Sequence, residues 1–316
     1  MANNLQYASV FQSELDKAAV EQATSGWMEL NDKLVKYTGG AEVKIPKMDM
    51  DGLADYDPQT GFVEGSVNLG WETKKMTMDR GRLFTFDEHE VNDTNFVVTA
   101  SSVMGEFQRT KVIPEIDAYR YSTLAALAIA NDRAKWGYTP AEATILKNLY
   151  ADIAAVQDVV GDDTPLIITM STRVAALFDM NANIAKSLGV TDFKQGDIML
   201  KVKSLNGQHP IIRVGSGRMK TAYQFNDGTT AGQTKGGFVP AADAQDMNWI
   251  ICPRSLPIAV SRTDKVRIFD PETYQKKRAW ATDYRKYHDL WVLENKLPTL
   301  LVNIQGEKPK GDQEGA

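Results

Sequence analysis

The side chains best suited to chemistry are few: three histidines, a single cysteine and a run of aspartates between residues 49 and 57. The aspartates come closest to a recognisable site. Asp49, Asp51, Asp55 and Asp57 alternate as calcium ligands can, yet a calcium loop needs acids or amides at fixed steps and a closing glutamate. Gly52-Leu53-Ala54 breaks that spacing, so the run reads as a solvated loop. His89, His209 and His288 are scattered, with no His-x-x-x-His or Cys/His pairing, and zinc is left without a workable ligand set. His209 precedes Pro210 in a turn and His288 stands among aromatics, so structural roles are expected for both. Cys252 follows Trp249-Ile250-Ile251, the setting of a small buried thiol.

Nucleophile and phosphate patterns fail in the same way. Gly215-Ser216-Gly217 starts like a dinucleotide fingerprint, but Lys220 holds the third glycine position and no helical pattern follows. It is not a Gly-x-Ser-x-Gly elbow, and no Walker A pattern occurs. A carboxylate pair assembled in space among the 41 acids is a generic possibility that no motif supports. The sequence therefore assigns no catalytic, cofactor-binding or metal residue, and the chain is expected not to be an enzyme.

Composition narrows the alternatives. With 316 residues and 43% hydrophobic content, the chain is long enough for one large domain or two medium ones. A charged fraction of 24% and six tryptophans argue against disorder. The net charge of -5 speaks against tight, sequence-independent gripping of nucleic acid, which needs a basic surplus. The first residues, Met1-Ala2-Asn3-Asn4, lack a basic start followed by an apolar core, and no apolar run is long enough to span a bilayer. A soluble protein made in the cytoplasm is expected.

The elements that would have to position any site are more informative. Residues 5 to 36 carry Leu5, Val10, Phe11, Leu15, Val20, Trp27, Leu30, Leu34 and Val35 at loosely helical spacing, an apolar arm that must pack on its own body or on a neighbour. Ala41 to Met48 alternates as a strand, Met50 to Gly65 reads as a loop tip, and Ser66 to Phe86 alternates again. Together they predict a long β-hairpin, whose strands of about ten residues would reach roughly 33 Å. A hairpin of that length is expected to lie on another subunit. From Asn92-Asp93-Thr94, offering N-caps, a helical pattern runs to residue 133 and is interrupted by Pro114. A long kinked helix or two consecutive helices is expected.

Residues 139 to 247 read as mixed α/β, with a helix from Thr139-Pro140 to Val160, a strand at Leu166–Met170, a helix at Thr172–Met180 and strands near Lys201 and Ile211. The Gly/Thr-rich stretch Asn226 to Gly237 reads as a mobile loop. Strands return at Trp249–Cys252, Ile258–Ser261, Val266–Phe269 and from Ala279 to Ile304. Basic pairs at Lys74-Lys75, Arg80 and Arg82, Lys276-Lys277-Arg278 and Arg285-Lys286 are either solvated faces or charge partners across subunit contacts.

Three blocks carry a family resemblance. The string Tyr284-Arg285-Lys286-Tyr287-His288-Asp289-Leu290-Trp291-Val292-Leu293-Glu294-Asn295-Lys296, preceded by Arg267-Ile268-Phe269-Asp270-Pro271-Glu272, resembles the C-terminal region of major capsid proteins of tailed bacteriophages of Gram-positive hosts. Trp71-Glu72-Thr73 with Met78-Asp79-Arg80-Gly81-Arg82 is the second block. Val103-Met104-Gly105-Glu106-Phe107 running to Val112-Ile113-Pro114-Glu115-Ile116-Asp117-Ala118-Tyr119-Arg120 is the third.

The resemblance implies an α+β fold of the Hong Kong 97 type. Residues 1–40 would form an N-terminal arm and 41–91 an extended loop. Residues 92–138 and 248–305 would form a peripheral domain with a spine helix, 139–247 an axial domain, and 306–316 a disordered tail. It also implies a structural subunit of an icosahedral head enclosing double-stranded DNA, assembled in the host cytoplasm and located in the virion. Its partners would be many copies of itself in hexamers and pentamers, a separate scaffolding protein, a portal protein and a decoration protein, with weak contact to packaged DNA and none to membrane. Assembly contacts are expected at Trp27, at Asp55, Tyr56 and Asp57 in the loop tip, and at Lys74, Lys75, Asp79, Arg80 and Arg82. The alternatives are an encapsulin-type compartment of the same fold and a soluble α+β metal-binding enzyme.

Overall fold

The computed structural model describes residues 23–39, 42–87, 102–181, 188–195, 198–269, 272, 274, 276 and 279–309. The arm before residue 23, the capping residues Asn92-Asp93-Thr94, His89, Lys277-Arg278 and residues 310–316 lie outside these.

The centre is a mixed seven-stranded sheet. In chain order its strands are β5 (Ala134–Lys135), β6 (Leu166–Ser171), β7 (Leu188–Gln195), β8 (Ile198–Leu205), β9 (His209–Val214), β12 (Met247–Pro253) and β15 (Leu301–Ile304). Across the sheet the order is β5-β15-β12-β6-β9-β8-β7. Parallel pairs join β6 to β9 and β15 to β5, while the other neighbours run antiparallel.

The apolar runs of β6 and β12 are buried on both faces, which is why they read as near-continuous rather than alternating. On β12, Ile250 and Cys252 pack towards Tyr121, Leu124, Ala125 and Ala128 of helix α1 (Ile113–Ala130). Trp249 and Ile251 pack on the other side, against Ile145, Leu149, Ile153 and Val156 of helix α2 (Glu142–Val160) and Phe178 of helix α3 (Thr172–Met180). The period-2 alternation of a strand thus feeds two helical layers from one stretch of sequence. The boundary expected at residue 247 falls at the start of β12, which is hydrogen-bonded to β6 of the preceding block.

Pro114 leaves its mark without breaking the helix. Proline has no N–H to give and its ring crowds the carbonyl one turn back. The backbone widens into a π turn over Gln108–Val112, where the Ile113 N–H reaches the Gln108 carbonyl, and Pro114 then sits in the first turn of α1. Residues 102–107 are helical ahead of that turn. Met104 and Phe107 from this stretch cover Phe84, Tyr284 and Val266 on a second sheet. That sheet has the order β13-β14-β4, from β13 (Pro257–Phe269), β14 (Ala279–Val292) and β4 (Met78–Asp87).

The third sheet is the expected hairpin. β2 (Glu42–Met50) and β3 (Val67–Lys75) pair in register from Met50 opposite Val67 to Glu42 opposite Lys75, with β1 (Lys36–Gly39) on the outer edge of β2. The run expected to continue from Ser66 to Phe86 divides at Met76-Thr77, beyond which β4 joins β14 instead. The helical pattern expected as far as residue 36 gives way to a 3-10 helix at Gly26–Leu34 and then β1. Buried Asp117 of α1 fixes the entry to that 3-10 helix. It accepts hydrogen bonds from the Ser25 N–H (3.0 Å) and hydroxyl (2.6 Å), the Thr24 hydroxyl (2.8 Å) and Arg218 (3.0 Å).

Candidate assembly interface

Direct partners in an antiparallel pair share a face, so the register sorts the hairpin into two sides. On one side Val43 and Ile45 are buried against Met76, Ile258 and Val260, which seats the base of the hairpin on the body. The opposite side carries Val67, Leu69 and Trp71 of β3, facing Met50 and Pro46 of β2. Leu69 is 68% exposed and Trp71 48% exposed. Because the seated side is the Val43/Ile45 side, this apolar side is turned away from the protein's own core. Lys36 lies over the Trp71 ring at 4.4 Å, a cation–π contact at the inner end of the stripe.

The tip continues the apolar surface. Asp57-Pro58-Gln59-Thr60-Gly61 is a tight turn in which Asp57 and Gly61 exchange backbone hydrogen bonds of 3.3 and 2.7 Å. Pro58 suits the first corner of such a turn, and Gly61, at φ 86°, takes the left-handed position that a side chain would strain. The turn brings the Tyr56 and Phe62 rings to 4.8 Å, both of them exposed. Eight of the fourteen large exposed apolar side chains among the described residues fall between Met50 and Trp71. Monomeric proteins rarely gather so much apolar surface in one projecting element.

The aspartates of this region serve the hairpin. Asp51 accepts the Ser66 N–H and hydroxyl at 2.7 and 2.9 Å, closing the base of the tip, and Asp57 accepts the Gln59 N–H at 2.8 Å. These hydrogen bonds lower both carboxyls below the usual range. Asp49 lies within β2, opposite Asn68. Among the described residues no group of three or more His, Cys, Asp or Glu side chains is placed to hold a metal ion.

The residues expected to make assembly contacts separate into three sets. Asp55, Tyr56 and Asp57 lie in the exposed tip, and Lys75 is exposed on β3 opposite Glu42. Lys74 is ion-paired to Glu72 on its own strand. The remaining four have partners within the chain. Trp27 is a correction: it is 0% exposed in the core with Tyr121 and Leu124, so it anchors its own subunit. Asp79 forms a two-point pair with Arg285 at 2.6 and 2.8 Å. Arg80 bonds Glu115 at 2.7 Å and the carbonyls of Asn226 and Gly237, while Arg82 reaches the Thr234 carbonyl. The loop between β10 (Tyr223–Phe225) and β11 (Phe238–Pro240), expected to be mobile, is thereby tied to β4. Asp227 ties it internally by accepting the Thr229 and Thr230 N–H groups and the Thr230 hydroxyl.

Cys252, His209 and His288 are buried within the fold. Burial pushes the Cys252 thiol up to about 12. His209 accepts the Leu166 N–H at 3.1 Å. His288 is buried, and burial, reinforced by Arg120 and Lys286, holds its imidazole well below the usual range. Ser216 begins a one-turn 3-10 helix whose Arg218 is spent on Asp117. Among the described residues no helix is long and apolar enough to cross a membrane.

No family model and no curated protein matches the chain. Solved structures do. The capsid of cyanophage P-SCSP1u aligns over 86% of this chain and 86% of its own at TM-score 0.54 and 8% identity. The mature capsid of bacteriophage PhiM1 aligns over 84% and 82% at TM-score 0.50 and 11% identity. The virus-like particle from Pyrococcus furiosus aligns over 94% and 99% at TM-score 0.50 and 11% identity. Identities this low speak for the backbone alone, and the backbone agrees along most of each chain. The chain therefore has the α+β, Hong Kong 97-type fold of these shell-forming structures.

Proposed function

We propose that the chain is a structural subunit that self-assembles into the icosahedral head shell around the double-stranded DNA of a tailed phage. The observation that carries this reading is the projecting hairpin. Its Val67-Leu69-Trp71 side and its Tyr56/Phe62 tip are apolar, exposed and turned away from the subunit's own core. Covering that side with a neighbouring copy removes apolar surface from water at about 25 cal/mol per Å². A contact in which the hairpin of one copy lies on the body of the next is heterologous, and such contacts form rings when the rotation between copies closes. Many modest contacts around one subunit then add up to a stable shell.

The same reading gives the partners: further copies in hexamers and pentamers, a separate scaffolding protein, a portal protein and a decoration protein. Assembly takes place in the host cytoplasm. The net charge of -5 suits walls that enclose DNA without gripping it. A shell that stores protein instead would carry a host protein cargo and no genome, so the nucleic-acid content of purified heads distinguishes the two.

The test is a paired substitution, Leu69→Glu with Trp71→Glu. The expected outcome is a folded subunit with an unchanged unfolding midpoint that no longer forms shells beside its scaffold. Normal shells from the double variant would overturn the reading.

A further inference from the structure

The point at which the hairpin leaves the body is held by one buried carboxylate. The β14–β4 ladder ends at His288 opposite Met78, and the next pair would be Asp289 with Thr77. There the Asp289 side chain takes over. Its Oδ2 accepts the Thr77 N–H at 2.8 Å and the Thr77 hydroxyl at 3.0 Å. Its Oδ1 accepts the Tyr119 hydroxyl of α1 at 2.5 Å and the Leu290 N–H at 2.8 Å. Four donors, from α1, β14 and the Met76-Thr77 connection, therefore meet on one side chain that is itself buried.

The neighbours reinforce the same point. The Tyr287 hydroxyl donates to the Met76 carbonyl at 3.1 Å, and the Met76 side chain is buried among Val35, Val43 and Ile258. Burial, and next the bond to Asp289, raise the Tyr119 hydroxyl above its ordinary value, so it remains a donor.

We propose that Asp289, with Tyr119 and Thr77, is a shoulder joint that sets the direction of the hairpin and thereby the angle between neighbouring subunits. A side-chain carboxylate in place of the next ladder bond lets the chain turn off the sheet at Met76-Thr77 while its N–H stays satisfied. The two bonds to Thr77 and the Tyr287 bond to the Met76 carbonyl hold two successive residues, and two held residues define the direction in which the chain leaves the sheet. The consequence for subunit angle rests on the shell reading. The joint itself does not.

The experiment separates the two. Spin labels at Gln59 in the tip and Lys147 on α2 report the hairpin direction in the unassembled subunit through their distance distribution. The native chain is expected to give one narrow distance peak. Asp289→Asn, which offers one oxygen and places an amide donor towards other donors, is expected to lose that peak while the subunit stays folded. Tyr119→Phe, which removes a single hydroxyl, carries the test if Asp289→Asn does not fold. An unchanged narrow peak in the folded variant overturns the joint. Assembled with scaffold, the same variant should lose the single particle diameter of the native shell. Native-like diameters alongside a lost peak would keep the joint and overturn its role in subunit angle.

Discussion

The seven-stranded sheet and the β2–β3 hairpin are built from similar apolar residues with opposite fates. In β12, Trp249 and Ile251 meet α2 and α3 while Ile250 and Cys252 meet α1, so both faces of the strand are covered within one chain. Among the described side chains of the hairpin, Val43 and Ile45 find such cover, while Leu69 and Trp71 on the other side stay largely exposed, with Lys36 over the Trp71 ring. An element whose apolar residues are satisfied internally contributes to folding. One whose apolar residues are left outside contributes only when another molecule arrives. The same residue type thus reports on subunit stability in one place and on association in the other.

Tryptophans placed across both regions allow the contrast to be broken. Trp249→Ala should cost most, about 3–5 kcal/mol, because a fully buried ring is lost. It also strips Asp152 of the indole N–H it accepts at 2.9 Å, and urea unfolding would read the loss. Asp117→Ala should follow at about 3–5 kcal/mol at most, since it leaves Ser25 and Arg218 without their acceptor. Trp291→Ala should cost roughly half the Trp249 value, for its ring is half-buried beside Val260 and Ile258. Trp71→Ala should change subunit stability by less than about 1 kcal/mol, the scale of an exposed cation–π contact, yet weaken assembly. Equal losses for Trp71 and Trp249 would erase the distinction between the regions.

A smaller effect sharpens the contrast through pH. His288 is kept neutral in the fold, whereas the unfolded chain takes up a proton around the ordinary value of 6.5, so the unfolded state gains as pH falls through that value. Glu29 acts further down. Burial raises its carboxyl, but Arg120 and Lys286 outweigh burial and hold it at about 2. Its contribution is therefore complete above the ordinary 4.5 and is lost as pH falls towards 2. Unfolding midpoints should decline between pH 7 and 5, and His288→Gln should flatten that decline. Both groups are in the body, so the native hairpin direction read by spin labels should stay unchanged over that range.

Local elements were legible in the residues, and their partners were not. The alternation of Ser66 to Phe86 correctly signals extended chain, but its break at Thr77 depends on Asp289, 212 residues later. Likewise β12 reads as a strand from Trp249-Ile250-Ile251 alone, while its pairing with β6 and β15 is a long-range fact that no local period encodes. Pro114 announces an interruption, and the form it takes, a π turn over Gln108–Val112, is not written in the local period. Trp27 illustrates the opposite error. Its place in an apolar arm suggested a contact with a neighbour, and the Asp117 anchor at Thr24 and Ser25 draws it into its own core. The paired bases Arg80 and Arg82 were equally ambiguous as sequence, and the carbonyls of the 226–237 loop account for them.

On the proposed function, the exposed hairpin face is covered by another copy of the chain. Electron microscopy of the purified protein co-expressed with its scaffold tests it most directly. Closed icosahedral shells are expected from the native chain, and folded, unassembled subunits when Asp51 to Gly61 are deleted. Monomers or dimers alone from the native chain in every condition, scaffold present, would contradict it.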